Sequence, residues 1–205
     1  MATAAFIVIA YLVGSLSFAV IVSKAFGLPD PHTYGSGNPG ATNVLRTGNK
    51  VAALLTLAGD ALKGWLAVFL AQRFAWRYGV EDAGIAAVAL AVFVGHLFPV
   101  YFRLKGGKGV ATAAGILFAI DWRVGLGTLV TWLVIALFFR YSSLAALVAA
   151  AFAPFATALV LGLDVYAAAV LAIAALLAWR HAANIRKLIA GTEGRIGEKK
   201  APAEG

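Results

Sequence analysis

The stretch "VAALLTLAGDALKGWLAVFLAQ", Val51 to Gln72, decides the class of fold. It is long enough to cross a hydrocarbon core, which takes about 20 helical residues, and its only charges are Asp60 and Lys63. Residues three apart share a helix face, so these two meet near the middle of the crossing. Each bare charge there would cost about 2.5–3.5 kcal/mol on insertion scales. Paired, they neutralise each other. Two roles stay open for the pair: fixing this span against its neighbours, or acting directly in a reaction.

Outward from this stretch the chain keeps the same character. Of 205 residues 62% are hydrophobic and only 13% charged, with a mean hydropathy of +0.88, which excludes a soluble domain of this size. Apolar runs are separated by short charged or Gly/Pro-rich pieces, so helices rather than alternating barrel strands are expected. The expectation is an all-α polytopic membrane protein, a seven-transmembrane-helix bundle with spans at 3–23, 51–72, 83–102, 109–121, 123–140, 142–162 and 164–180. The fourth is short, and Asp121, Trp122 and Arg123 mark an interfacial turn after it. Residues 1–205 form one domain, with 197–205 expected as a disordered tail.

Orientation follows from the cations. With the N-terminus periplasmic, thirteen Lys and Arg fall on the inner side and three, Arg73, Arg77 and Arg123, on the outer. That asymmetry makes the C-terminus cytoplasmic. No basic region precedes the first apolar run and no cleavage site follows it, so the first span is expected to be retained. The absence of cysteine excludes disulfides and thiolate chemistry. A net charge of +8 suits anionic lipids and anionic substrates; without a stacking platform between the cations, nucleic acid is not an expected partner.

Three polar segments, 34–49, 95–112 and 180–196, fall on the inner side. In "YGSGNPGATNVLRTGN", Asn38 and Pro39 resemble a helix N-cap and first helical residue, and Gly48 a stop, giving a helix of about two turns. Its free amides face Ser36 and Gly37, an arrangement that favours an anion, and Arg46 adds phosphate-compatible geometry. The alternative is a capped connector whose arginine meets lipid phosphates.

The second segment holds "RLKGGKGVAT", Arg103 to Thr112. Gly106, Gly107 and Gly109 let the backbone approach a ligand, a helix beginning near Val110 offers unpaired amides, and Lys105 and Lys108 add charge. The pattern is not a nucleotide P-loop; the expected ligand is a phosphate, against the alternative of a flexible positive-inside loop. His96, one turn before Pro99, is either a satisfied core histidine or part of the site. In the third segment, "WRHAANIRKLIAGTEGRIG", the last span is expected to run on to a stop at Gly191. His181, Asn184 and Leu188 share a face there, and Arg180 and Lys187 point elsewhere. The competing reading is a basic amphipathic helix on the headgroups.

Two anion sites on one membrane face, beside an apolar bundle able to hold an acyl chain, point to lipid synthesis. A His with an Asp five positions later, a common base for acyl transfer, is absent: those positions after His32, His96 and His181 are Gly37, Tyr101 and Arg186. Scattered histidines without nearby carboxylates argue against a metal site. Without a strong protein base, a pre-activated donor such as an acyl phosphate is favoured, its own phosphate oxygen taking the proton.

"SGNPGATNVLR", "GHLFPVYFRLKGGKGVAT" and "HAANIRKLIAGTE" together resemble the three motifs of the bacterial acyl-phosphate:glycerol-3-phosphate acyltransferases, the PlsY family. The likeness covers almost the whole chain, and the one departure is Ala182, where a basic residue often follows the histidine. The resemblance implies transfer of a fatty acyl group from acyl phosphate to sn-glycerol 3-phosphate, giving lysophosphatidic acid and phosphate, with no cofactor or metal. It also implies an inner-membrane location with the site at the cytoplasmic face. Carried over, Ser36, Lys105, His181 and Asn184, with His96, are candidate catalytic residues. Gly37, Asn38, Asn43, Arg46, Gly106, Gly107, Lys108, Gly109 and Thr112 are candidate substrate-binding residues. Expected partners are the two substrates, membrane lipids and other phospholipid-synthesis enzymes. A transporter of organic phosphate is the competing class, since charges at depth and glycine breaks also mark transporters; a non-catalytic scaffold is a third.

Overall fold

A computed structural model describes residues 1–197; the expected tail, apart from Gly197, lies outside the described residues. Among the described residues ten α-helices follow in order: α1 (Ala2–Gly14), α2 (Phe18–Ala25), α3 (Ala41–Val44), α4 (Lys50–Phe74), α5 (Asp82–Leu97), α6 (Val110–Ile120), α7 (Trp122–Phe139), α8 (Ser142–Leu161), α9 (Val165–Arg180) and α10 (Ala182–Ile189). The protein is an all-α polytopic membrane protein. Among the described residues four helical stretches are long and apolar enough to cross a bilayer, Lys50–Tyr78 and Asp82–Phe102, in which α4 and α5 run on into 3₁₀ turns, and α7 and α8, and up to six spans result if each bent pair, α1 with α2 and α9 with α10, counts as one. The expected fourth span, α6, has 11 residues, a rise of about 16 Å.

Small residues let the helices approach closely, the usual solution where lipid removes the hydrophobic drive between helices. The helix α4 packs on α6, α1 on α5, α7 on α8 and α8 on α9. Between α4 and α6 a β-carbon on Gly64 would overlap the Thr112 carbonyl, and one on Gly115 the Ala61 carbonyl. The buried set is rich in alanine, with Phe93, Leu97 and Ile116 its largest members. Exposed leucines and phenylalanines such as Leu137, Phe138 and Leu159 face outward. Side-chain caps start three helices: Asn49 accepts from Ala52 N–H, Asp121 from Arg123 N–H and Asp164 from Ala167 N–H.

Two expected spans are broken. The run 3–23 bends by 41° between α1 and α2, where Ser15 Oγ donates back to Tyr11 O at 2.9 Å. This leaves the Leu16 carbonyl free to accept from Lys63 Nζ at 2.5 Å, so the irregular backbone is satisfied inside the protein. The last span does not run straight to Gly191: it turns by 60° at His181, and Gly191 follows α10 with φ +68.

Candidate active site

The loops 26–49 and 98–109, the 140–142 turn and the 181–197 segment meet at one end of the bundle. The expected helix over Asn38–Thr47 begins later than its sequence implies. Its N-cap is Gly40, in extended conformation, because Pro39 is drawn off and buried, its carbonyl beside Gly107. A 3₁₀ turn at Leu45–Thr47 completes the helix, and Gly48 ends it at φ +84.

Asn43 organises this loop. Its Oδ1 accepts from Ser36 N–H (3.0 Å) and Arg46 Nη1 (3.2 Å), while Nδ2 donates to Pro31 O (2.9 Å) and Tyr34 O (3.2 Å). All four positions of the amide are used, so Asn43 holds Ser36 and Arg46 in place. Both Ser36 and Arg46 are exposed, as is Gly37, and Asn38 is half-buried.

The glycine loop sits beside it. Gly106, Gly107 and Gly109 are buried, and Lys105 is exposed. Gly107 N–H donates to His96 O at 3.2 Å, so this amide is already occupied. Free donors come from the first turn of α6, Val110 to Thr112, ahead of the first intrahelical bond, Ala113 N–H to Gly109 O at 2.7 Å. Gly109 caps the helix at φ +83. Thr112 is wholly buried against α4, its hydroxyl without a partner among the described residues.

Lys108 ties this loop to the third segment. Its ammonium donates to Asn184 Oδ1, Asn184 Nδ2 donates to Glu193 Oε1 at 2.7 Å, and Ser143 Oγ donates to the same oxygen at 2.6 Å. Burial pushes Lys108 down to about 8; Glu193 opposes the fall, and Arg180, Arg46 and Lys187 add to it. His181 is buried, and its Nδ1 lies 2.8 Å from Leu177 O. A carbonyl only accepts, so the proton sits on Nδ1 and Nε2 keeps a lone pair.

Arg180 was expected to point away from the site. It instead donates to Gly106 O (2.8 Å) and Gly107 O (3.2 Å) from the last turn of α9, ahead of the bend. His32, Glu193 and Arg180 are the residues that sequence reasoning missed. His32 bridges Asp30 Oδ1 (2.7 Å) and Lys105 O (2.9 Å); a carboxylate two residues before a histidine was the only available signal. His96 joins Asp60 and Lys63 behind the loop, with Lys63 Nζ 2.8 Å from Asp60 Oδ1 and 3.0 Å from His96 Nδ1.

The sequence profile of the glycerol-3-phosphate acyltransferases matches residues 4–191. The chain belongs to the glycerol-3-phosphate acyltransferase family. Members similar to it include the glycerol-3-phosphate acyltransferases of Cupriavidus necator, 70% identical over 98% of this chain and 99% of that one, and of Ralstonia nicotianae, 67% identical over 98% and 97%. Among solved structures it resembles PlsY (YgiH), an integral membrane glycerol 3-phosphate acyltransferase. The TM-score is 0.89 to the glycerol 3-phosphate form and 0.88 to the lysophosphatidic acid form, at 36% identity over 96% of both chains. In this acyltransferase family member the three sequence motifs meet at the charged end of the bundle.

Proposed function

We propose that this chain transfers a fatty acyl group from acyl phosphate to the 1-hydroxyl of sn-glycerol 3-phosphate, giving 1-acyl-sn-glycerol 3-phosphate and inorganic phosphate. The observation that carries this reading, beside the family, is the Lys108–Asn184 bond, which joins the glycine loop to the segment after the last span. Arg46 is near enough to Lys108 to act on its charge, and Asn43 holds Ser36 beside Arg46, so the cluster offers donors for phosphoryl oxygens.

The residues divide the work. The first-turn amides of α6, with Lys105 and Lys108, hold phosphoryl oxygens and stabilise charge on the leaving phosphate. Arg46, Ser36 and Asn184 bind and orient glycerol 3-phosphate, and His181 Nε2, a lone-pair acceptor, orients the attacking hydroxyl. The hydroxyl oxygen bonds to the acyl carbon, the bond from that carbon to the phosphate oxygen breaks, and the hydroxyl proton passes to the departing phosphate. Positioning supplies up to about 7–11 kcal/mol in such arrangements, so no protein base or covalent intermediate is required.

The bundle has seven crossings in this proposal: α1 with α2, α4, α5, α6, α7, α8 and α9. An odd number places the termini on opposite sides, N-terminus periplasmic and C-terminus cytoplasmic, in keeping with thirteen inner cations against three outer ones. The enzyme then sits in the bacterial inner membrane with its site at the cytoplasmic face. The test is phosphate release by the detergent-solubilised protein given palmitoyl phosphate. Release that requires glycerol 3-phosphate and yields lysophosphatidic acid is expected; folded protein that consumes no palmitoyl phosphate overturns the reading.

A further inference from the structure

Asp60, Lys63 and His96 form a buried cluster that the proposed reaction does not use, at 3%, 3% and 7% exposure. Lys63 Nζ hydrogen-bonds to Leu16 O at 2.5 Å and to His96 Nδ1 at 3.0 Å, and forms an ion pair with Asp60 Oδ1 at 2.8 Å. An ammonium has three N–H groups and no lone pair. His96 Nδ1 must therefore accept, and the ring proton sits on Nε2. Asp60 Oδ1, 3.6 Å from the same Nδ1, is then a neighbour of that nitrogen and not its ion-pair partner.

The other side of the ring meets the glycine loop. A β-carbon on Gly107 would overlap His96 Nε2, and Gly107 N–H already donates to the His96 carbonyl. Nε2 has no hydrogen-bond partner among the described residues. The choice of protonated ring nitrogen is set by the bond that the other one makes. Here an intramembrane ion pair, anchored on the carbonyl freed by the break between α1 and α2, makes that choice.

We propose that Asp60 and Lys63 are positioning residues that lock His96 in its Nε2–H form, so that this N–H donates to an oxygen of the phosphoryl group held by the glycine loop. The proposal rests on the acyltransferase reading for its ligand, though not for the tautomer. The imidazole stays neutral and passes on no proton; it is a fixed dipole aimed at phosphate charge. Both substrates carry a phosphoryl group, and kinetics with each in turn separates them.

Palmitoyl phosphate and glycerol 3-phosphate are titrated against the full-length protein and four variants: His96→Leu, Lys63→Met, Asp60→Asn with Lys63→Met, and that pair combined with His96→Leu. His96→Leu is expected to lower kcat/KM by about 10²-fold, with KM rising for whichever substrate phosphate the loop holds. The neutralised pair is expected to keep the unfolding temperature while losing a similar factor, and to cost nothing further in the His96→Leu background, because its effect passes through that ring. Additive losses, or a neutralised pair with unchanged kcat and KM, would overturn the proposal in favour of a purely architectural ion pair. A second readout needs no turnover. In protein with ¹⁵N-labelled imidazoles, the signals lost in His96→Gln are expected to report an Nε2–H ring that becomes a tautomer mixture in the neutralised pair. A wild-type His96 protonated on Nδ1 would overturn the lock even if acyl transfer is confirmed; an Nε2–H ring in a protein without acyl transfer would leave the lock standing and remove only its ligand.

Discussion

Lys108 donates to Asn184 Oδ1 across 76 residues of sequence, so the glycine loop and the helix after the last span hold one another in place. The ammonium that makes this bond has been pushed down to about 8 from 10.5, chiefly by burial. Between those two values the unfolded chain keeps a proton that the folded chain has released, so the group's contribution to stability improves as pH rises through that window. Phosphate binding moves the other way, because above pH 8 the positive charge is lost. KM for a phosphate substrate is expected to climb above pH 8 without a matching fall in unfolding temperature. Lys108→Arg, whose guanidinium stays charged, is expected to flatten that limb; steady-state kinetics from pH 6 to about 9.5 check it.

Glu193 accepts from both Asn184 and Ser143 through one oxygen. Hydrogen bonds to a charged group contribute about 1.5–3 kcal/mol each. Glu193→Gln is expected to lower both the unfolding temperature in detergent and the turnover, whereas Ser143→Ala, which leaves the Asn184 contact, costs less. Thermal unfolding of the two variants side by side reads the difference.

Asn43 spends its whole amide on the loop that carries Ser36 and Arg46. Asn43→Asp keeps an acceptor for Ser36 and Arg46 but turns a second oxygen towards the Pro31 and Tyr34 carbonyls. A misplacement of 1 Å can cost about 10²-fold in rate, and a loss of that order in kcat/KM is expected with the fold retained. Acyl transfer assays beside circular dichroism test this.

Gly64 and Gly115 let α4 and α6 approach until a β-carbon on either would overlap a carbonyl of the other helix. Overpacking typically costs about 1–3 kcal/mol, and backbone is harder to displace than a side chain. Gly64→Val or Gly115→Val is expected to lower the unfolding temperature, and Gly162→Ala, which has open space around it but a φ of +90, serves as a strain-only comparison. Thermal denaturation ranks the three.

Composition and spacing carried much of this structure. The helical class, the start of α6 at Val110, the stop at Gly48 and the facing of Asp60 with Lys63 all follow from local rules that the backbone obeys. What the sequence could not convey depends on breaks. Extrapolating a helical face through His181 assumes a straight axis; the 60° bend breaks the register between Arg180 and Asn184, and Arg180 donates to the glycine loop. Likewise, Asn38 and Pro39 have the chemistry of a helix start, but the tertiary contact of Pro39 with Gly107 shifts that start to Ala41. The Leu16 carbonyl was invisible for the same reason: only a helix that breaks exposes it to Lys63.

The chain from Lys108 through Asn184 to Glu193 and Ser143 also carries information about timing. Eighty-five residues separate Lys108 from Glu193, which at typical synthesis rates is about 4–17 s of translation. Throughout that interval the nascent protein holds a glycine loop and its lysine with no partner to seat them. A reactive acyl donor present in the same bilayer therefore meets an incomplete cradle until α9 has been inserted and the segment carrying Asn184 and Glu193 has folded back.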